Sequence, residues 1–253
     1  MSISNPSRSQ TERADLTRSR ILDAAIRQFS ENGLAGARTE QIAEEAGVNK
    51  ALLYYYFKSK EDLYEAALHS VFESVRADNV NVLEADSSAG ERFVEIVLRN
   101  FDRSYSHPEM KSMMQQEMVR LHQGEESRLA PMAEKFFRPL WMLVDKLLEE
   151  GIASGELVAV DPSQMRYAAL GANVLYFLSA PLTRLALGID PLERDELARR
   201  RKLAIVHLGQ TIFVDRKHGA HVAKRVLKST PMPCVSDSRG DPFRNANLKK
   251  LQY

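Results

Sequence analysis

The sequence predicts an all-α protein, with an N-terminal three-helix domain followed by a larger helical domain. Three observations carry the helical prediction. Ala, Leu, Glu and Arg are abundant while 12 Gly and 10 Pro are spread over 253 residues, a balance that favours helix. Apolar residues recur three and four apart along most of the chain. No run of β-branched residues alternates over several positions, so a sheet is not expected. At 44% hydrophobic content, a chain of this length can bury a substantial core.

Residues 1–14 are polar and rich in Ser and Arg and read as a mobile N-terminal arm. Residues 15–62 form the first domain. Its first helix runs from Leu16 to Glu31, with Leu22, Ala25, Ile26 and Phe29 on one stripe and Asn32-Gly33 ending it. Ile42, Ala43 and Ala46 then fall three and four apart, on one face of a short second helix. Thr39 stands before that face, where its hydroxyl is placed to cap free backbone N–H groups. Gly47 stops the helix, since glycine enters the left-handed region without steric cost. Asn49 is a good N-cap for a third helix, Lys50 to Phe57. Helix, tight glycine turn, helix is an arrangement whose second helix lies in a DNA major groove.

In that helix Tyr54, Tyr55 and Tyr56 are followed by Phe57, and together they circle more than half a turn, so they do not all face one core. Outward phenols donate to phosphate oxygens. Lys58 and Lys60 come next, and Ser59 is placed to cap a fourth helix. The stretch Gly47-Val48-Asn49-Lys50-Ala51-Leu52-Leu53-Tyr54-Tyr55-Tyr56-Phe57-Lys58-Ser59-Lys60 resembles the TetR family of bacterial transcriptional repressors, and the resemblance covers Thr17 to about Leu68. It implies a dimer on a near-palindromic double-stranded DNA operator, controlled by a small-molecule effector. It places DNA phosphate contacts at Thr39, Tyr55, Tyr56 and Lys60. It places base contacts at Lys50, Ala51 and Tyr54, where a lysine suits guanine O6 or N7 and an alanine methyl or tyrosine ring suits a thymine methyl. Ile42, Ala46, Val48, Leu53 and Phe57 are read as core. Glu40, Glu44 and Glu45 are awkward beside DNA.

Residues 63–228 form the second domain, with a helix over 59–83 connecting the two. Asp86-Ser87-Ser88-Ala89-Gly90 breaks the chain, and a fifth helix with Phe93, Ile96, Val97, Leu98 and Phe101 ends near His107-Pro108. A sixth runs from Glu109 to His122. A long seventh helix holds Phe136 to Leu148 and closes at Gly151 to Gly155, and Asp161-Pro162 opens an eighth, Gln164 to Leu187. A ninth spans about Glu193 to Phe213. The methionines and the single tryptophan suggest an adaptable apolar pocket, although core packing explains them equally well. Candidate ligand-binding residues are Arg99, Arg103, Met113, Met114, Glu117, Trp141, Asn173 and Tyr176. Small residues such as Ala168, Ala169, Gly171 and Ala172 let another helix approach closely, and the resemblance implies a homodimer through helices near 164–187 and 193–213.

Residues 229–253 read as a disordered basic tail. The formal charge of +1 conceals a positive C-terminal segment and a more acidic remainder. The single Cys234 has no internal disulfide partner. The N-terminus lacks the apolar stretch of a signal peptide, and no 18-residue apolar run predicts a membrane span. A cytoplasmic bacterial protein is expected, with no cofactor and no metal. Paired histidines, a glycine-rich phosphate loop and G-x-S-x-G are absent from the sequence, which speaks against an enzyme. A sequence-independent architectural DNA-binding protein is the alternative; the near-neutral first domain argues against it.

Overall fold

The structure, a computed structural model, describes residues 6–233; beyond Pro233 the expected basic tail lies outside the described residues. The chain is all-α. Its helices are α1 (Pro6–Gly36), α2 (Thr39–Glu45), α3 (Lys50–Tyr56), α4 (Lys60–Leu83), α5 (Ala89–Ser106), α6 (Pro108–His122), α7 (Leu129–Met132), α8 (Arg138–Ala153), α9 (Pro162–Leu178), α10 (Ala180–Leu187), α11 (Arg194–Ile212) and α12 (Arg216–Ser229). The strand-like pairing among the described residues is an isolated antiparallel bridge between Leu157 and Phe213. Two compact units result. One holds the described residues up to Arg76 together with Glu109–Phe136; the other holds Ala77–Pro108 and the described residues from Phe137 onward.

In the first unit, α1 begins at Pro6, well before Leu16. Pro presets the first-turn backbone, and no Gly or further Pro interrupts the stretch to Glu31, so much of the expected arm continues the helix. The break expected at Asn32-Gly33 is present, with Gly33 at φ 68. Ile21, Leu22, Ala24, Ala25 and Phe29 are buried, and the Phe29 ring meets the edge of Tyr64 on α4 at 4.9 Å. The unit is larger than residues 15–62 because α6 is bonded into it. Gln116 Nε2 donates to the Ser30 carbonyl at 3.0 Å. Glu117, fully buried, accepts from Ser127 Oγ at 3.1 Å and from the Arg128 amide at 2.7 Å, which ties α6 to the loop leading into α7. Burial, reinforced by the neighbouring Glu117 carboxylate, pushes the Tyr64 phenol well above its ordinary pKa. After α7 comes one π-helical turn, Ala133–Phe137, which ends two residues before Pro139. A proline has no N–H for the carbonyl four residues back, and a widened turn absorbs that mismatch.

In the second unit, α5 supplies Phe93, Val94, Val97 and Leu98 to a core shared with α8 (Val144, Leu147, Leu148), α11 (Ile205, Leu208, Ile212) and α12 (Val222, Ala223, Val226). Ser88 caps α5, accepting from the Glu91 amide. Arg201 of α11 holds Asp102 of α5 in a bidentate pair at 2.6 and 2.7 Å and also donates to the Thr230 carbonyl. The stretch expected as one helix over 164–187 is two, α9 and α10, bent by 60° where Pro181 interrupts the backbone ladder. Beyond Phe213, where the periodicity predicts no further helix, α12 follows, because Asp215 accepts from the amides of Lys217 and His218 at 2.8 and 3.2 Å and so caps a new helix. α11 and α12 touch backbone to backbone. A Cβ built on Gly219 would lie 1.9 Å from the Gly209 carbonyl oxygen, and one on Gly209 would lie 2.4 Å from that of Gly219.

Gly219→Ala therefore forces the two helices apart, and thermal or denaturant unfolding should show a loss of about 3 kcal/mol. A second expectation concerns Arg225, which donates to both carboxylate oxygens of Glu91 at 2.7 and 2.5 Å. That hydrogen bond holds Glu91 below its ordinary carboxylate pKa, so its stabilisation is present above the unfolded value and lost as pH falls through the folded one. Arg225→Ala should cost less than about 1 kcal/mol at pH 7, the pair being partly exposed. The difference from wild type should vanish once Glu91 is protonated in acid.

Candidate nucleic-acid interface

The helix-turn-helix is assembled from short-range chemistry. Helix α2 buries Thr39, Ile42 and Ala43, then the chain reverses at Gly47, whose φ is 66. The Gly47 and Val48 amides donate to the carbonyls of Glu44 and Ala43 at 3.0 and 2.9 Å. Asn49 caps α3 by accepting from the Leu52 amide at 2.8 Å. Leu53 is fully buried and Phe57 nearly so, while Val48 is half-buried. The Arg18 guanidinium of α1 lies 5.3 Å from the centre of the Phe57 ring. α3 is thus held at both ends and along one side, and the rest of its surface is open. Ser59 caps α4, accepting from the Asp62 amide at 3.0 Å.

The open surface carries the residues singled out for DNA. Lys50 and Ala51 are exposed, Tyr55 is 80% exposed and Tyr54 37%. Tyr56 is half-buried, with its ring edge-on to Tyr55 at 5.4 Å. Thr39 does not cap α2: Arg38 occupies the N-cap position without a side-chain cap bond, because the Thr39 hydroxyl, itself nearly buried, lies 3.3 Å from the Tyr54 hydroxyl. Lys60 Nζ donates to the Ala35 carbonyl at 3.2 Å.

Two of the acidic residues that look out of place beside DNA, Glu45 and Glu40, have internal partners. Arg27 Nε pairs with Glu45, which also accepts from Gln28 Nε2 at 3.3 Å. Lys50 Nζ donates to Glu40 Oε1 and stands 5.9 Å from the centre of the Tyr54 ring. The Lys50 ammonium holds the Glu40 carboxyl below its ordinary pKa, and the carboxylate in turn raises Lys50. Sequence reading missed the role of Glu40. The signal was present in outline, an acid in the first turn of α2 and a lysine in the first turn of α3, but their meeting depends on how the turn folds.

The candidate ligand residues are divided between the units. Met113, Met114 and Glu117 belong to the first, where Met113 and Glu117 are fully buried. Arg99, Arg103, Trp141, Asn173 and Tyr176 belong to the second. There Arg99 pairs with Glu95, and Arg103 is buried on α5. Asn173 Nδ2 donates to the Val97 carbonyl at 3.0 Å and to Asn100 Oδ1 at 3.2 Å. The Tyr176 hydroxyl donates to the Pro191 carbonyl, and its ring packs 5.9 Å from that of Phe101. Trp141 stacks under the Arg166 guanidinium, 4.8 Å from its ring centre, and Arg166 is held by Asp145 at 2.8 Å. α5 and α9 bring Asn173 and Tyr176 against Val97, Asn100 and Phe101; Trp141 stands apart on α8. Among the described residues, no three His, Cys, Asp or Glu side chains come together as a metal site, and no single helix is long and apolar enough to cross a membrane.

Comparison with known proteins places this geometry. The family profile described as bacterial regulatory proteins, tetR family, matches residues 21–67, and one described as tetracyclin repressor-like, C-terminal domain, matches residues 91–207. The HTH-type transcriptional repressor NicS of Pseudomonas putida is 30% identical over 146 residues, covering 58% of this chain and 68% of NicS. The HTH-type transcriptional regulator RutR of Escherichia coli is 29% identical over 171 residues, covering 66% of this chain and 77% of RutR. Among solved structures, a gamma-butyrolactone receptor described as ArpA-like superposes with a TM-score of 0.64 at 19% identity, over 86% of this chain and 100% of that one, a likeness of fold.

Because Leu53 is the buried anchor of α3, Leu53→Ala should remove about 3 kcal/mol of stability. Circular dichroism melts should register the loss, and binding to every duplex should weaken together.

Proposed function

The chain belongs to the TetR family of bacterial transcriptional regulators, and on that premise we propose that it is a cytoplasmic repressor that binds a near-palindromic operator as a homodimer and is released by a small-molecule effector. It is a DNA-binding regulator of the helix-turn-helix class. One observation carries the reading of its DNA face: α3 buries Leu53 and Phe57 while turning Lys50, Tyr54 and Tyr55 to solvent. Lys50, Ala51 and Tyr54 then meet base edges in the major groove. Thr39, Tyr55, Tyr56 and Lys60 fix the helix on the phosphates, Lys60 exchanging the Ala35 carbonyl for a phosphate oxygen.

Pairing is supported by α9. Tyr167, Val174, Leu175 and Leu178 are exposed on it, and a Cβ on Gly171 would meet nothing within 4 Å. Leu182 and Leu185 of α10 and Leu203 of α11 are exposed as well. An apolar stripe with small residues is what a second copy of the same helix needs to approach closely. Two paired readers would sit about 34–36 Å apart or a multiple of that. The effector then acts by favouring a conformation with a different reader separation. Moving that balance from 1:99 to 99:1 takes about 5.5 kcal/mol of differential binding. In the second unit Arg99, Arg103, Asn173, Tyr176 and Trp141 are the candidate effector contacts; Met113, Met114 and Glu117 are a separate candidate group in the first.

Selection of duplexes from a random library, followed by gel shift, tests the DNA reading. Lys50→Ala should change which bases are selected, whereas Lys60→Ala should weaken all sequences alike and lower the salt slope by about one. If the protein selects no sequence at physiological salt, the repressor reading is wrong. Leu175→Asp should convert the dimer to monomer in sedimentation and abolish operator binding while leaving the helical content unchanged.

A further inference from the structure

Four side chains at the reading surface form one closed chain of contacts. Lys50 Nζ donates to Glu40 Oε1. The other oxygen of Glu40 lies 3.5 Å from the Thr39 hydroxyl, which lies 3.3 Å from the Tyr54 hydroxyl. The Tyr54 ring faces Lys50 Nζ at 5.9 Å, which closes the loop. Lys50 and Glu40 have side chains 51% and 63% exposed, so their ion pair is open to exchange with an incoming ligand. Lys50 and Tyr54 are the residues of α3 assigned to bases, and Thr39 is assigned to phosphate. Glu40 therefore touches the base-reading lysine and the phosphate-binding threonine at once, and no role has yet been given to it.

We infer that Glu40 is a specificity-determining residue: it holds Lys50 as an internal ion pair that only a well-placed base acceptor displaces, and so suppresses binding to DNA of the wrong sequence. The inference rests on α3 being the base reader. An unpaired lysine on a DNA-facing surface gains from any phosphate, whatever the sequence. A lysine whose charge is already met by a carboxylate gains little from a diffuse field. It gains more from guanine O6 and N7, two acceptors set side by side in the groove. The exchange then favours a guanine at the right position, and phosphates elsewhere do not drive it. Without Glu40 the lysine would become an ordinary phosphate contact and the discrimination would fall.

The experiment compares wild type, E40Q, K50A and the double variant. The probes are a duplex selected by the wild-type protein from a random library and a scrambled duplex of the same composition, titrated across salt. E40Q keeps the shape of the side chain and removes its charge. It should bind the scrambled duplex about 1.5- to fivefold more tightly, the range expected for releasing an exposed ion pair. The selected-to-scrambled ratio should fall correspondingly, and the salt slope on scrambled DNA should steepen by about 0.9, one further phosphate neutralised. In the K50A background the same substitution should leave the ratio unchanged, because Glu40 acts through Lys50. A structural role for Glu40 would not produce that dependence. If E40Q leaves the ratio of the wild type intact, or lowers it equally with and without Lys50, the inference is overturned while the DNA-reading function stands. Failure of the wild type itself to distinguish the two duplexes would overturn the function and this inference together.

Discussion

A seven-residue helix does not persist in water, because nucleation costs more than so few hydrogen bonds return. Everything α3 offers to DNA depends on its being held by something larger. Three restraints do this. Leu53 is buried without remainder and Phe57 almost so, which fixes the face that turns inward. Asn49 satisfies the Leu52 amide at the start of the helix, and Gly47, in the left-handed region, sets the angle at which it leaves α2. Phe29 and Tyr64, both fully buried and in edge contact, join α1 to α4 in the same unit. The direction of the exposed tyrosines is thus inherited from residues that never meet DNA.

The second constraint is electrostatic. A chain with a formal charge of +1 has little general attraction for a polyanion, and its DNA-facing unit spends part of its basic charge internally. Arg27 is taken by Glu45 and Lys50 by Glu40. Non-specific affinity, which comes almost wholly from phosphate neutralisation, is correspondingly low. A protein that must find one site among many competing ones benefits from that restraint, since occupancy depends on the ratio of specific to non-specific binding. The acidic residues that seemed out of place at a reading surface belong to the discrimination, provided their partners are the reading residues themselves.

The parts legible in the sequence are those decided within about ten residues. The turn at Gly47, the cap at Asn49, the cap at Ser59 and the break at Gly33 are each decided by one residue and its neighbours, and the structure has all four. What sequence did not reveal lies between distant positions. Gly209 and Gly219 matter because their helices cross backbone to backbone, and nothing in the local pattern of α11 or α12 announces a crossing. Glu117 accepts from Ser127 and Arg128, which lie across a loop from its helix. Thr39 was read as a cap because threonine caps well, but Tyr54, fifteen residues later, claims its hydroxyl. Asn173 and Tyr176 keep their polar atoms on main-chain carbonyls of Val97 and Pro191, which no periodicity foretells.

These constraints bear on why one reader would not suffice. α3 exposes few groups suited to base contact, one of them already in an ion pair, and each good base contact contributes only about 1–3 kcal/mol of discrimination. Adding positive charge would raise affinity for all DNA alike and defeat the selectivity that the Glu40–Lys50 pair favours. Repeating the reader raises affinity without lowering the ratio, since a second copy adds base contacts in proportion to phosphate contacts. The apolar stripe of α9, open around Gly171, is where such a repetition is physically least costly: burying it removes Tyr167, Leu175 and Leu178 from water, and the missing Cβ lets two helices approach. A near-neutral reader and an exposed apolar helix both fit the proposed dimer, in which affinity would come from symmetry and specificity from restraint at each half.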